Sequence, residues 1–171
     1  MLLLALGVFC AMVSIHQPKL IGKPAPTFTG STINGTKMDS SYFKGKVTLV
    51  TFFAIGCAPC LQEINALKKL KKQSGFQVLY IVAQTAWEMR QFNSDGMNRY
   101  SKVRKQAKAG KIEFEILPQC EEPKFGEPKP LIEPECNQIG QKFGVSGFPC
   151  TFLIDKKGII RQAWFGFGMD S

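Results

Sequence analysis

Runs of hydrophobic side chains divide this chain into a readable series of elements. KVTLVTFF (46–53) and FQVLYIVA (76–83) are continuous apolar stretches rich in β-branched and aromatic residues, the pattern of strands buried on both faces. Between them, CAPCLQEINALKKLKKQ places Leu61, Ile64, Leu67 and Leu70 at helical spacing with lysines opposite, and Gly75 closes the helix. Strand, helix and strand in this order predict a βαβ unit with a parallel pair. A helical region follows from about 85 to 108, broken near Asn93-Ser94-Asp95-Gly96, and IEFEIL (112–117) alternates as a third strand. A helix over about 135–143 then leads into CTFLIDKKGIIRQAWFG. That last segment predicts a hairpin, with strands at 150–154 and 159–165 joined by a Lys156-Lys157-Gly158 turn. Upstream, IGKPAPTFTGSTINGTKMDSSYFKGK (21–46) is turn-rich, and Asn34-Gly35 marks a small leading hairpin.

Composition adds one domain of ordinary balance: 171 residues, 44% hydrophobic and 20% charged. Two segments depart from it. Residues 1–15, MLLLALGVFCAMVSI, carry no charge and read as an export signal or membrane anchor over 1–18, ahead of a domain over 19–171. The run falls short of the roughly 20 residues of a spanning helix, and Phe9 is too large for the residue before a lipidated Cys10. From Pro118 to Pro134, prolines and glutamates crowd into an irregular insertion bounded by Cys120 and Cys136. The net charge of +9 is concentrated between Lys68 and Lys111. RYSKVRKQAKAGK within it offers Tyr100 as its one aromatic, which argues against nucleic acid and for a solvated helix face, with an acidic partner or anionic membrane as the alternative.

Candidate chemistry concentrates at Cys57-Ala58-Pro59-Cys60, where the first buried run gives way to the helix. A helix N-terminus offers unpaired N–H groups and the positive end of its dipole, which favour thiolate at Cys57. Thiolates in such places have pKa values lowered to about 3.5–7.5. Cys60, one turn further in, is placed to attack a mixed disulfide on Cys57, and Pro59 stiffens the first turn. The same spacing is half of a zinc site, whose other half would have to be Cys120 and Cys136 or the lone His16, and a structural Cys57–Cys60 staple is the third alternative.

TFFAIGCAPC followed by FGVSGFPCTFLIDKKGII resembles the thioredoxin superfamily, and with the IGKPAPTFTG opening it looks like the TlpA/ResA-type thiol-disulfide oxidoreductases, a redoxin or AhpC/TSA-related group. The likeness covers about residues 20–168. It implies an α/β thioredoxin-like fold, a central mixed sheet flanked by helices. Pro149 becomes the cis-proline facing Cys57 and Cys60, and the backbone of Phe148 holds an extended substrate. Gly56, Ala58 and Pro59 complete the substrate-binding set, with Gly56 where the family commonly has tryptophan. Glu63 matches an acidic residue of the group and is expected to take the proton of Cys60. Its bland alternative is a first-turn glutamate, solvated or paired with Lys69. Thr51 stands where thioredoxins carry a buried aspartate.

The resemblance also implies location and partners: an exported protein of the cell envelope, on its periplasmic side, exchanging disulfides with protein substrates. A membrane electron donor would keep it reduced, and its only redox group would be the cysteine pair, with no cofactor and no metal. Reductant is favoured over oxidant. A peroxiredoxin-type peroxidase is the runner-up, although Ala54 replaces the threonine expected three residues before the reactive cysteine. A non-enzymatic metal-binding or thiol-bearing module is the third class. Cys120 and Cys136 are expected to form a structural disulfide, and Cys150 to be a small buried core residue or a competitor for Cys57. The family's final helix has no counterpart before the chain reaches GFGMDS.

Overall fold

The computed structural model describes residues 18–69, 75–120 and 138–167. The expected signal or anchor, Cys10, His16, Leu70, Cys136 and most of the proline-rich insertion lie outside them. No helix among the described residues is long and apolar enough to cross a membrane.

The two continuous apolar runs form β3 (Val47–Phe53) and β4 (Phe76–Val82), paired in parallel from Val47↔Phe76 to Phe53↔Val82. Helix α1 (Ala58–Lys68) connects them. They are the middle of a five-stranded mixed sheet of order β5-β4-β3-β6-β7, in which β5 (Glu115–Pro118) is parallel to β4. Strands β6 (Cys150–Ile154) and β7 (Ile160–Phe165) form the antiparallel hairpin. A separate pair, β1 (Thr29–Ser31) and β2 (Lys37–Asp39), flanks the Asn34-Gly35 turn, where Gly35 takes a positive φ of 83° that suits glycine.

Both faces of the sheet are covered, so alternate side chains of each central strand enter different cores. Leu49, Phe53, Tyr80, Val82 and Ile116 pack with Leu61, Ile64 and Leu67 of α1, and with Met89 and Phe92 of α2 (Ala86–Asn93). The opposite face buries Val50, Phe52, Leu79 and Phe152 against Phe28, Phe43 and Phe143. The break expected near residues 93–96 separates α2 from α3 (Arg99–Gln106). The guanidinium of Arg104 is buried there and donates to the carbonyls of Phe92 and Ser94 at 2.8 and 2.9 Å.

Two boundaries differ from expectation. The third strand begins at Glu115 rather than residue 112, because Asn93 holds Ile112 off the sheet by accepting its N–H and donating to its carbonyl. The helix expected over 135–143 is α4 (Gln138–Lys142) in its described part.

Candidate active site

The C-terminal ends of β3 and β4, the start of β6 and the end of β7 all lie on one edge of the sheet. There the chain leaves β3 through Ala54, Ile55 and Gly56. Gln84, just beyond β4, accepts the N–H of Ile55 at 3.3 Å, and the Cys57 N–H donates to Ala54 at 3.1 Å. Cys57 is the N-cap of α1, its extended backbone giving way to the helix, and its sulfur accepts the Cys60 N–H at 3.2 Å. Pro59 occupies the first turn, where an N–H is not needed. The two cysteines are joined in a disulfide with an S–S distance of 2.07 Å. Cys57 is half-buried and Cys60 fully buried, so an incoming sulfur meets Cys57 first.

Glu63, the third residue after Cys60, is 2% exposed. Its partners are two threonines rather than Lys69. Thr51 Oγ1 donates to Glu63 Oε2 at 2.8 Å, while Thr151 Oγ1 stands 2.9 Å from Oε1 and 3.0 Å from Thr51 Oγ1. The threonines are direct partners in the β3–β6 ladder, and Tyr80 is the partner of Thr51 on β4. Burial raises the Glu63 carboxyl above its ordinary value of 4.5, against the smaller opposing effect of the threonine hydroxyls. Among the described residues the buried Tyr80 hydroxyl has no hydrogen-bond partner, and its pKa is raised by burial and by the charge of Glu63.

The Phe148–Pro149 peptide is cis, directly ahead of β6. Cys57 and Phe148 both pack against the core cluster that holds Cys60. Gly56 is exposed, and a Cβ there would meet nothing within 4 Å. Phe165, 48% exposed at the end of β7, covers Gly147, and the following Gly166 N–H donates to the Pro149 carbonyl at 2.9 Å. Cys150 is a free, fully buried thiol on the core face opposite Thr151, and burial, with the charge of Glu63, pushes its pKa up to about 12. Cys120 is disulfide-bonded. No group of three or more His, Cys, Asp or Glu among the described residues could hold a metal ion.

The structure thus brings Cys57, Cys60, Glu63, Phe148 and Pro149 to one side of the fold, and adds Thr151 and Phe165. Thr151 had a usable signal: it sits two residues after Pro149, in alternation with the buried Cys150 and Phe152. Its pairing with Thr51, 100 residues away, has no signal in the local pattern.

A five-stranded mixed sheet flanked by helices, with a disulfide at the mouth of α1 and a cis-proline directly ahead of β6, defines a thioredoxin-fold thiol-disulfide oxidoreductase. The chain belongs to the AhpC/TSA family, whose profile matches residues 21–163. It is similar to the thiol:disulfide interchange protein DsbE of Pseudomonas fluorescens biotype C, 30% identical over 86% of this chain and 68% of that protein. The thioredoxin-like protein YneN of Bacillus subtilis is 28% identical over 85% of this chain and 71% of its own length. Among solved structures, the thioredoxin domain of a thiol-disulfide oxidoreductase from Bacteroides vulgatus superposes with a TM-score of 0.57, covering 85% of this chain and 89% of that one at 21% identity.

Proposed function

We propose that the protein is an exported reductase of disulfides in other proteins. Cys57, as thiolate, attacks one sulfur of the substrate disulfide, forming a mixed disulfide and releasing the other substrate sulfur as a thiolate that takes up a proton. Cys60 gives its proton to the Glu63 carboxylate and attacks Cys57. The Cys57–Cys60 bond forms, the bond to the substrate breaks, and two electrons have passed to the substrate. Phe148 and Pro149 hold the substrate chain by its backbone beside Gly56, Ala58 and Pro59. The cysteine pair is the only redox group, and a membrane electron donor on the periplasmic side returns it to the dithiol. Residues 1–18 direct the chain to the envelope or tether it there.

The observation that carries this reading is the unequal burial of a bonded pair at a helix N-terminus, Cys57 reachable and Cys60 enclosed. The similarity to DsbE of Pseudomonas fluorescens supports it. The test is the reduction potential of the pair together with reduction of insulin disulfides. A potential toward the thioredoxin end of the roughly −270 to −120 mV range, with activity lost in Cys57→Ser, is the expected result. Exchange untouched by that substitution would overturn it, and peroxide turnover without exchange would favour a peroxidase instead.

A further inference from the structure

We propose that Thr51 and Thr151 are positioning residues for proton transfer, their hydroxyls allowing Glu63 to gain or lose a proton without moving its heavy atoms. The inference rests on the reading that Glu63 receives the proton of Cys60. Both residues are buried on α1 three positions apart, a spacing that makes side chains neighbours on a helix.

The argument is a count of protons. Glu63 Oε2, Thr51 Oγ1, Thr151 Oγ1 and Glu63 Oε1 are linked by contacts of 2.8, 3.0 and 2.9 Å. Each contact is of hydrogen-bond length, but the threonines own one proton each, and a hydroxyl donates once. The third proton belongs to the carboxyl. In the acid state Oε1–H donates to Thr151, Thr151 donates to Thr51, and Thr51 donates to Oε2. In the carboxylate state Thr151 turns its hydroxyl to Oε1 while Thr51 keeps its bond to Oε2. One hydroxyl rotation separates the two states.

The balance of the resolving step decides which state goes with which redox form. Cys60 loses a proton as the Cys57–Cys60 bond forms, so on this reading the oxidised protein is the proton-loaded one, and the three contacts accommodate that proton. The titratable groups around Glu63 are Cys57 and Cys60 on its own helix, Tyr80 on β4 and Cys150 on β6. Tyr80 and Cys150 are both kept protonated at neutral pH by burial. Met89 and Phe92 of α2 and Ile116 of β5 close the same core with apolar side chains.

The proposal is tested on a mixed disulfide between Cys57 and 2-nitro-5-thiobenzoate, whose release by Cys60 is followed by stopped-flow absorbance across pH. Thr51→Val and Thr151→Val each remove a donor to the carboxylate, so the carboxylate is harder to form. The expected result is a rate profile whose midpoint moves upward by about one pH unit. Thr51→Ser and Thr151→Ser restore it, and Glu63→Gln abolishes that ionisation. Valine variants that are folded by circular dichroism and keep the wild-type profile would overturn the proposal. A second readout is independent of exchange rates: redox-difference infrared spectra should show a protonated carboxyl gained on oxidation, lost in Glu63→Gln and displaced in Thr151→Val. Its absence from the wild type would also overturn the proposal. If the wild type released no chromophore, the exchange reading itself would fail, and the infrared measurement would still decide the proton state.

Discussion

The ring of Phe165 lies on the bare backbone of Gly147: a Cβ at that glycine would fall 2.7 Å from Cε2 of the ring. Gly147 immediately precedes Phe148-Pro149, and Phe165 is paired across the hairpin with Cys150. An aromatic side chain therefore flanks the proposed substrate loop.

Gly147→Ala should push the half-exposed ring aside rather than unfold the loop, because the ring edge is the part that can yield. The expected stability loss is below about 1 kcal/mol by chemical denaturation. Exchange with a protein substrate should show a raised KM, while a small aromatic disulfide reacts as before. Loss of both activities together would show that the loop itself had moved.

The pH dependence of stability carries the mark of Glu63. Its folded-state pKa is raised, so the folded protein binds the proton more tightly than the unfolded chain. The contribution is fully present below the ordinary value of 4.5 and is lost as pH rises through the folded pKa. Denaturant midpoints measured at increasing pH should show this decline in the wild type, and Glu63→Gln should remove that component.

Cys150 should be inert to alkylation in the native protein. With its pKa pushed up to about 12 and its side chain fully buried, it is held as the thiol at pH 8. Brief treatment of the reduced protein with iodoacetamide, read by mass spectrometry, should label Cys57 and spare Cys150 until denaturant is added. Labelling of Cys150 in the folded state would place it in communication with the exchange site.

Arg104→Ala should destabilise the protein without slowing the chemistry. Removing the guanidinium leaves the carbonyls of Phe92 and Ser94 without their donor at the end of α2, a cost of about 2–4 kcal/mol. Lysine should not restore it, since one ammonium cannot reproduce the planar fork. Thermal melts, with exchange assayed well below the transition, separate the two effects.

Much of this architecture was legible along the chain because the central strands are buried on both faces. Val47–Phe53 and Phe76–Val82 needed apolar residues at nearly every position, and such runs stand out. Cys57 and Cys60 were legible for a different reason, since a helix mouth and a three-residue spacing are both local. The start of β5 was not, because a side chain outside the strand, Asn93, holds Ile112 away from the ladder. Glu63 was legible through the resemblance as a carboxylate beside the dithiol, but its threonine partners were not, because only the antiparallel return of β6 brings the second hydroxyl to it. The aromatic flank at Phe165 was similarly hidden, as its contact with Gly147 arises from hairpin register.

The cross-strand pair Thr51–Thr151 also bears on synthesis. A growing chain that has emerged only through β5 already carries Cys57, Cys60 and Glu63, yet it lacks β6 and with it the second hydroxyl and Pro149. Its carboxyl would meet water on the uncovered side of β3. On the proposed mechanism, the sulfur pair is therefore present before both hydroxyls that would govern its protons, and that control arrives only when the β6–β7 hairpin docks.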